Sequence, residues 1–165
     1  MAYYVEAPNE FIRLYDNDGR VKDVEPATPM DLHSRGLFMA GGITNCPNWH
    51  AELRTLLEDT DLILVNPRRS GSQEWDPAIS QVQITWEHTM LRACGKISFW
   101  FTNATLQPIA QYELGAWSMT GKPMAIGVEP GYEREYDVRM QTSLARPEID
   151  VVSSLEELAE EVKKL

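Results

Sequence analysis

Four short runs along the chain are apolar at nearly every position: Leu37–Ala40, Asp61–Val65 after its first residue, Lys96–Phe101 and Pro123–Val128. Runs of this length without polar alternation are what strands covered on both faces look like. A fifth, weaker run is Glu148–Val152. Between them the apolar positions recur with helical period. Pro47–Glu58 turns Trp49, Leu53, Leu56 and Leu57 to one side, and Ile79–Cys94 carries the stripe Ile79, Val82, Trp86, Met90, Ala93. A third helix starts at Pro108, where the missing N–H costs nothing, and stops before Gly121. Tyr132–Leu144 is a fourth, with Pro147 beyond it, and Leu155–Leu165 a fifth, opened by the capping box Ser154-Leu-Glu-Glu157. Strands alternating with helices predict an α/β fold: a single-domain, flavodoxin-like or Rossmann-like sheet of five parallel strands with helices on both faces. Upstream, Phe11–Tyr15 and Arg20-Val21 flank Asp18-Gly19, a hairpin signal, and Glu25–Pro29 reads as a linker. The expected division is an N-terminal extension over 1–35 and the α/β domain over 36–165.

Two carboxylates break the helical apolar faces. Glu113 has Ile109, Ala110, Ala116 and Trp117 as its neighbours at three and four residues, all apolar. Glu87 has Gln83, Ile84, Met90 and Leu91. A carboxylate on an apolar face is costly unless paired, protonated or used; the bland alternative is an edge glutamate whose head reaches water. Glu113 sits near the start of a helix that follows a strand, beside the sheet's carboxyl edge, where open α/β sheets bind ligands. Two carboxyls, one nucleophilic and one acidic, are the usual equipment for cleaving a glycosidic bond. On this chain they would be Glu113 as nucleophile and Glu87 as acid.

Other candidates lie at the same edge. Gly41-Gly42-Ile43 follows the first core strand, where glycine lets backbone approach a ligand or turn tightly; it is not the dinucleotide fingerprint. Arg68, Arg69 and Ser70 follow the second. They suit a phosphate or carboxylate, or else pair with the nearby Glu74 and Asp76. Trp75 in the same loop could stack on a base, although the five tryptophans read first as core.

Composition narrows the partners. With 15 Lys+Arg against 25 Asp+Glu the net charge is −10, which disfavours a nucleic acid polymer but leaves room for a small nucleoside or nucleotide. Cys46 and Cys94 lack metal-ligand spacing and read as reduced thiols, and His33, His50 and His88 do not cluster with them. No metal and no cofactor is expected. The N-terminus lacks a signal-peptide pattern and no apolar run reaches the ~20 residues of a membrane span, so a cytoplasmic protein with no membrane partner is expected.

Three segments, Ala40-Gly41-Gly42-Ile43, Thr105–Tyr112 and above all Glu113-Leu-Gly-Ala116 with Gly121-Lys-Pro123, resemble the nucleoside 2-deoxyribosyltransferase family, over roughly residues 36–152. That superfamily also holds nucleoside 5′-monophosphate N-glycosidases. The resemblance implies that Glu113 attacks C1′ to give a covalent 2-deoxyribosyl-enzyme, which a free base or water then resolves. The family's helix aspartate that handles the base is matched in position by Glu87. The family's aspartate six residues before the nucleophile, which holds the sugar 5′-hydroxyl, is here Gln107; the monophosphate hydrolases have serine there. Gly41, Gly42, Ile43, Arg68, Arg69, Ser70, Gln107 and Tyr112 are the expected substrate contacts. A homo-oligomer is implied, with Gly131–Asp137 as the candidate segment for closing a neighbour's site. The expected function is therefore an N-glycosidic bond enzyme acting on 2′-deoxynucleosides or their 5′-monophosphates, by transfer to a base or to water. The alternatives are a glycosidase for NAD or another N-ribosyl bond, and a non-catalytic nucleotide-binding module.

Overall fold

The computed structural model describes residues 2–9, 11–15, 21–26, 28–69 and 77–165, with backbone alone at 11–15 and 21–26. The strands are β1 (Tyr3–Glu6), β2 (Phe11–Tyr15), β3 (Val21–Pro26), β4 (Gly36–Gly41), β5 (Ile63–Asn66), β6 (Lys96–Phe101), β7 (Met124–Val128) and β8 (Val151–Val152). The helices are α1 (Pro29–Arg35), α2 (Trp49–Leu56), α3 (Pro77–Ala93), α4 (Pro108–Ser118), α5 (Glu135–Ala145) and α6 (Leu155–Lys163).

One sheet runs β3-β2-β1-β5-β4-β6-β7-β8. Within it β5-β4-β6-β7-β8 is the flavodoxin-like order, all parallel. The expected five strands are thus present, but the sheet is larger. β1 adds a sixth parallel strand beside β5, pairing Tyr3–Glu6 with Ile63–Asn66. β2 and β3 form the expected antiparallel hairpin, and β2 returns antiparallel on β1. The Asp18-Gly19 turn lies outside the described residues. β1 is only four residues long and its partner is far along the chain, so no local periodicity marks it.

Alternate residues of each strand face opposite sides. Phe38, Ala40, Ile63, Val65, Ile97, Phe99, Phe101 and Ile126 pack with Leu32 of α1, Met90 of α3, Leu114 of α4 and Val138 of α5. Leu37, Met39, Leu64, Trp100 and Ala125 pack against Trp49 and Leu53 of α2 and Leu158 and Val162 of α6. Both faces are covered, which is why these strands carry no polar alternation.

Three local expectations change. Part of the expected linker is helical: Thr28 caps α1 by accepting from the Asp31 amide at 3.1 Å, and Pro29 holds the first helical position. The α3 stripe is buried only in its second half; Ile79 and Val82 are exposed while Trp86 and Met90 are buried. The last strand shrinks to two residues. The expected capping box forms in part: Ser154 Oγ accepts from the Glu157 amide at 3.2 Å, while Glu157 accepts at 2.9 Å from the amide of Ser153, one residue before the cap. Among the described residues no helix is long and apolar enough to cross a membrane.

Candidate active site

A cleft of about 210 Å³ opens at the carboxyl ends of β4 and β5, with α3 and α4 as walls. Gly41, Ile43 and Thr44 come from β4 and its loop, Pro67 from the end of β5, Glu87 from α3, and Pro108, Ala110 and Glu113 from α4. The two carboxylates singled out on separate helices therefore face one space. Right-handed crossovers bring this about, placing α3 and α4 on the same side of the sheet at its carboxyl edge.

Glu113 is hard to ionise. Burial, and then the charge of Glu87, push its carboxyl up to about 8. Glu87 is raised too, first by burial. A hydrogen bond from Gln83 Nε2 at 2.6 Å and the charge of Arg69 oppose that rise. Both carboxyls are thus held above the ordinary carboxylate range, and the charge of an ionised Glu87 raises Glu113 further. Gln83 also donates to the Pro67 carbonyl at 2.6 Å, tying α3 to the end of β5. Its place one helical turn before Glu87 was the signal for it in the sequence.

Gly41 and Gly42 make room for the protein's own side chains. A Cβ on Gly41 would meet the Trp100 carbonyl and stand 2.6 Å from Trp49 Cζ2. One on Gly42 would meet Cys46 Sγ and stand 2.7 Å from Gln107 Cδ. The Gly42 carbonyl also accepts from Trp49 Nε1 at 2.9 Å. Gly41 and Ile43 line the cleft; Gly42 packs beside it.

Gln107 does not line the cleft. It takes a left-handed conformation, φ 52°, just before α4. Its buried amide donates to the Thr102 carbonyl at 2.6 Å and the Thr105 carbonyl at 3.2 Å. Its Oε1 has no hydrogen-bond partner among the described residues. Arg68 is also engaged. It reaches the Cys46 and Pro47 carbonyls at 3.2 and 2.9 Å and points Nε at His50 Nδ1 at 3.5 Å. His50 is fully buried against Trp49, and burial holds it well below the usual imidazole range. Arg69 is half-buried, with its charge felt at Glu87. Tyr112 is 77 % exposed and does not line the cleft. Ser70 and Trp75 lie outside the described residues. In the segment 131–137, Tyr132 is buried and serves its own chain: its hydroxyl donates to the Leu106 carbonyl and accepts from Gln111 Nε2.

A larger groove, about 560 Å³, runs between α4 and α5 past Leu114, Val138 and Thr142. It contains neither carboxylate. Both carboxylates line the smaller cleft.

Sheet order, cleft position and facing carboxyls define an open α/β domain with a ligand crevice at the carboxyl edge of its strands. The chain belongs to the nucleoside 2-deoxyribosyltransferase like family, whose model matches residues 34–132, well over half its length. The match includes both carboxylates and the cleft glycines and ends before α5. No curated protein matches the chain.

Proposed function

We propose that the protein cleaves the N-glycosidic bond of a 2′-deoxynucleoside or its 5′-monophosphate and passes the sugar to a second base or to water. The observation that carries this reading is the pair of half-buried carboxyls, Glu113 and Glu87, facing one cleft, with desolvation raising both and the charge of Glu87 raising Glu113 further. Family membership supports it.

The competent state is the pair with one proton. In the empty cleft that proton rests on Glu113. When substrate enters, the proton passes through Glu87 to the departing base, and Glu113 is left as the carboxylate. Its oxygen bonds to C1′ as the C1′–N bond breaks, and the base leaves with the electron pair of that bond and the proton. A developing positive charge on the sugar stabilises the Glu113 carboxylate at that moment. In the second half-reaction Glu87 takes a proton from the incoming base or water, which bonds to C1′ and releases Glu113. At about 210 Å³ the cleft is smaller than the roughly 300–1,000 Å³ of a drug-sized site. It takes the sugar, with the base at its mouth.

Arg69 is the cation available to a 5′-phosphate, because Arg68 is bonded to two backbone carbonyls. The small cleft disfavours a dinucleotide such as NAD, and a carboxyl kept protonated by burial disfavours a mere binding module. We also assign the exposed apolar residues Tyr112 on α4, Met119 just after it, and Tyr136 and Leu144 on α5 to contact with a second copy of the chain.

The test is base release from a panel of deoxynucleosides, their 5′-monophosphates and NAD, with and without a second free base, by wild type and Glu113→Ala. Exchange that vanishes in Glu113→Ala establishes a transferase; release without exchange establishes a hydrolase. No release from any deoxynucleoside or monophosphate overturns the reading.

A further inference from the structure

Lys122 lies between α4 and β7, outside the cleft, and no step above uses it. Its Nζ donates to the Leu91 and Cys94 carbonyls, each at 2.6 Å, and to the Arg92 carbonyl at 3.3 Å. These are carbonyls at the carboxyl end of α3, which a helix leaves without amide partners and where a cation is favoured. The same ammonium stands over the Trp117 ring of α4, 4.5 Å from its centroid. The Lys122 backbone is held as well, its carbonyl accepting from Arg146 Nη1 at 3.1 Å. One side chain therefore joins α3 to α4.

The place where it grips is informative. Leu91 follows Glu87 by four residues on α3, and Trp117 follows Glu113 by four on α4. Residues four apart on a helix share a face, one turn from each other. The amine crosses between the helices one turn beyond both carboxyls.

We propose that Lys122 is a positioning residue that locks α3 to α4 one turn beyond Glu87 and Glu113 and so sets the separation of the two carboxyls. This rests on reading that pair as the catalytic one. Group separations in such a site are consequential: a misplacement of about 1 Å costs up to roughly a hundredfold in rate. The ionisation of Glu113 reports the separation without any substrate. Glu87 is the charge that faces it from α3, Arg69 faces Glu87 from the end of β5, and Lys122 itself faces the buried Cys94 thiol. Parting the helices admits water to Glu113 and moves Glu87 away, and both changes make Glu113 easier to ionise.

The experiment compares wild type, Lys122→Met and Lys122→Arg by NMR titration of the Glu113 carboxyl in the substrate-free protein, together with base-release kinetics. Lys122→Met is expected to lower the Glu113 midpoint by about one pH unit or more. It should also reduce kcat about tenfold or more, with KM changed by less than about threefold. Lys122→Arg, which keeps the cation, restores both. A Lys122→Met protein that melts earlier but keeps the wild-type Glu113 midpoint and kcat overturns the proposal, because that is what a purely structural cap would give. If Lys122→Met does not fold, Trp117→Leu removes only the ring; it should move the midpoint in the same direction, and an unmoved midpoint there overturns the proposal. Should wild type release no base at all, the reading of function falls, while the midpoint shift still decides whether Lys122 is the lock.

Discussion

Glu113 carries an opposition between folding and chemistry. Its carboxyl titrates near 4.5 when unfolded and at about 8 in the folded protein. Between those values the folded chain holds a proton that the unfolded chain has released, so stability falls as pH rises through that window and the loss is complete above about 8. Glu113→Gln removes the ionisation while keeping the shape. Urea unfolding should find it more stable than wild type by several kcal/mol, up to about 5, at pH 9 and nearly equal to it at pH 4, with base release abolished at both. Equal stability at pH 9 would mean that Glu113 is not desolvated. Gln107 makes a different kind of contribution. Its amide ties the Thr102 and Thr105 carbonyls and supports a left-handed backbone. Gln107→Ala should cost about 1–3 kcal/mol in urea unfolding and leave KM nearly unchanged. A large rise in KM with stability intact would instead make Gln107 a ligand for the sugar's 5′ group. The apolar surroundings of Glu113 were visible at helical spacing, because its neighbours lie on its own helix. The bonds that Gln107 and Arg68 make were not, because their partners are backbone carbonyls, which no side-chain pattern displays.

Among the elements, β4, β5, β6 and β7 and the helices between them were legible, since burial on both faces leaves continuous apolar runs and burial on one leaves a helical stripe. β1 and α1 were not. β1 is defined by pairing with β5, not by its own sequence. Val5 is nevertheless fully buried in the core beneath α1 and α3. Val5→Ala should therefore lose about 1–3 kcal/mol of unfolding free energy, as a truncation in a packed core does; a loss below about 0.5 kcal/mol would show that β1 is not part of the cooperative unit. The first half of α3 departs from its pattern in burial: Ile79 and Val82 keep the helical period of Trp86 and Met90 but are exposed.

For the whole molecule, six parallel strands and helices on both faces bring residues from four separate segments to one edge. The same arrangement leaves α4 and α5 with large apolar side chains in solvent, Tyr112 at 77 %, Tyr136 at 75 % and Leu144 at 74 % exposed. With a net charge of −10 the molecule repels its copies at long range, so the proposed association would rest on that apolar surface and is expected to strengthen with salt. Sedimentation equilibrium is expected to show a dimer or larger that Tyr136→Lys with Leu144→Lys converts to monomer; a wild-type monomer at tens of micromolar would reassign the face.

What could be read without coordinates was everything carried by local periodicity or by near neighbours along the chain: the α/β alternation, the strand-loop-helix frame of Glu113, the capping box at Ser154 and the two carboxylates out of place on apolar helical faces. These are one-dimensional signals, set by backbone geometry and by the cost of burying charge. The fold alone determined what depends on distance between remote segments. It set Glu87 and Glu113 across one cleft and gave Arg68 and Gln107 backbone carbonyls as partners. It also put β1 inside the sheet and laid Lys122 across the ends of two helices. Each of these is a contact between groups far apart in the chain, and its energy exists only once the sheet has brought them together.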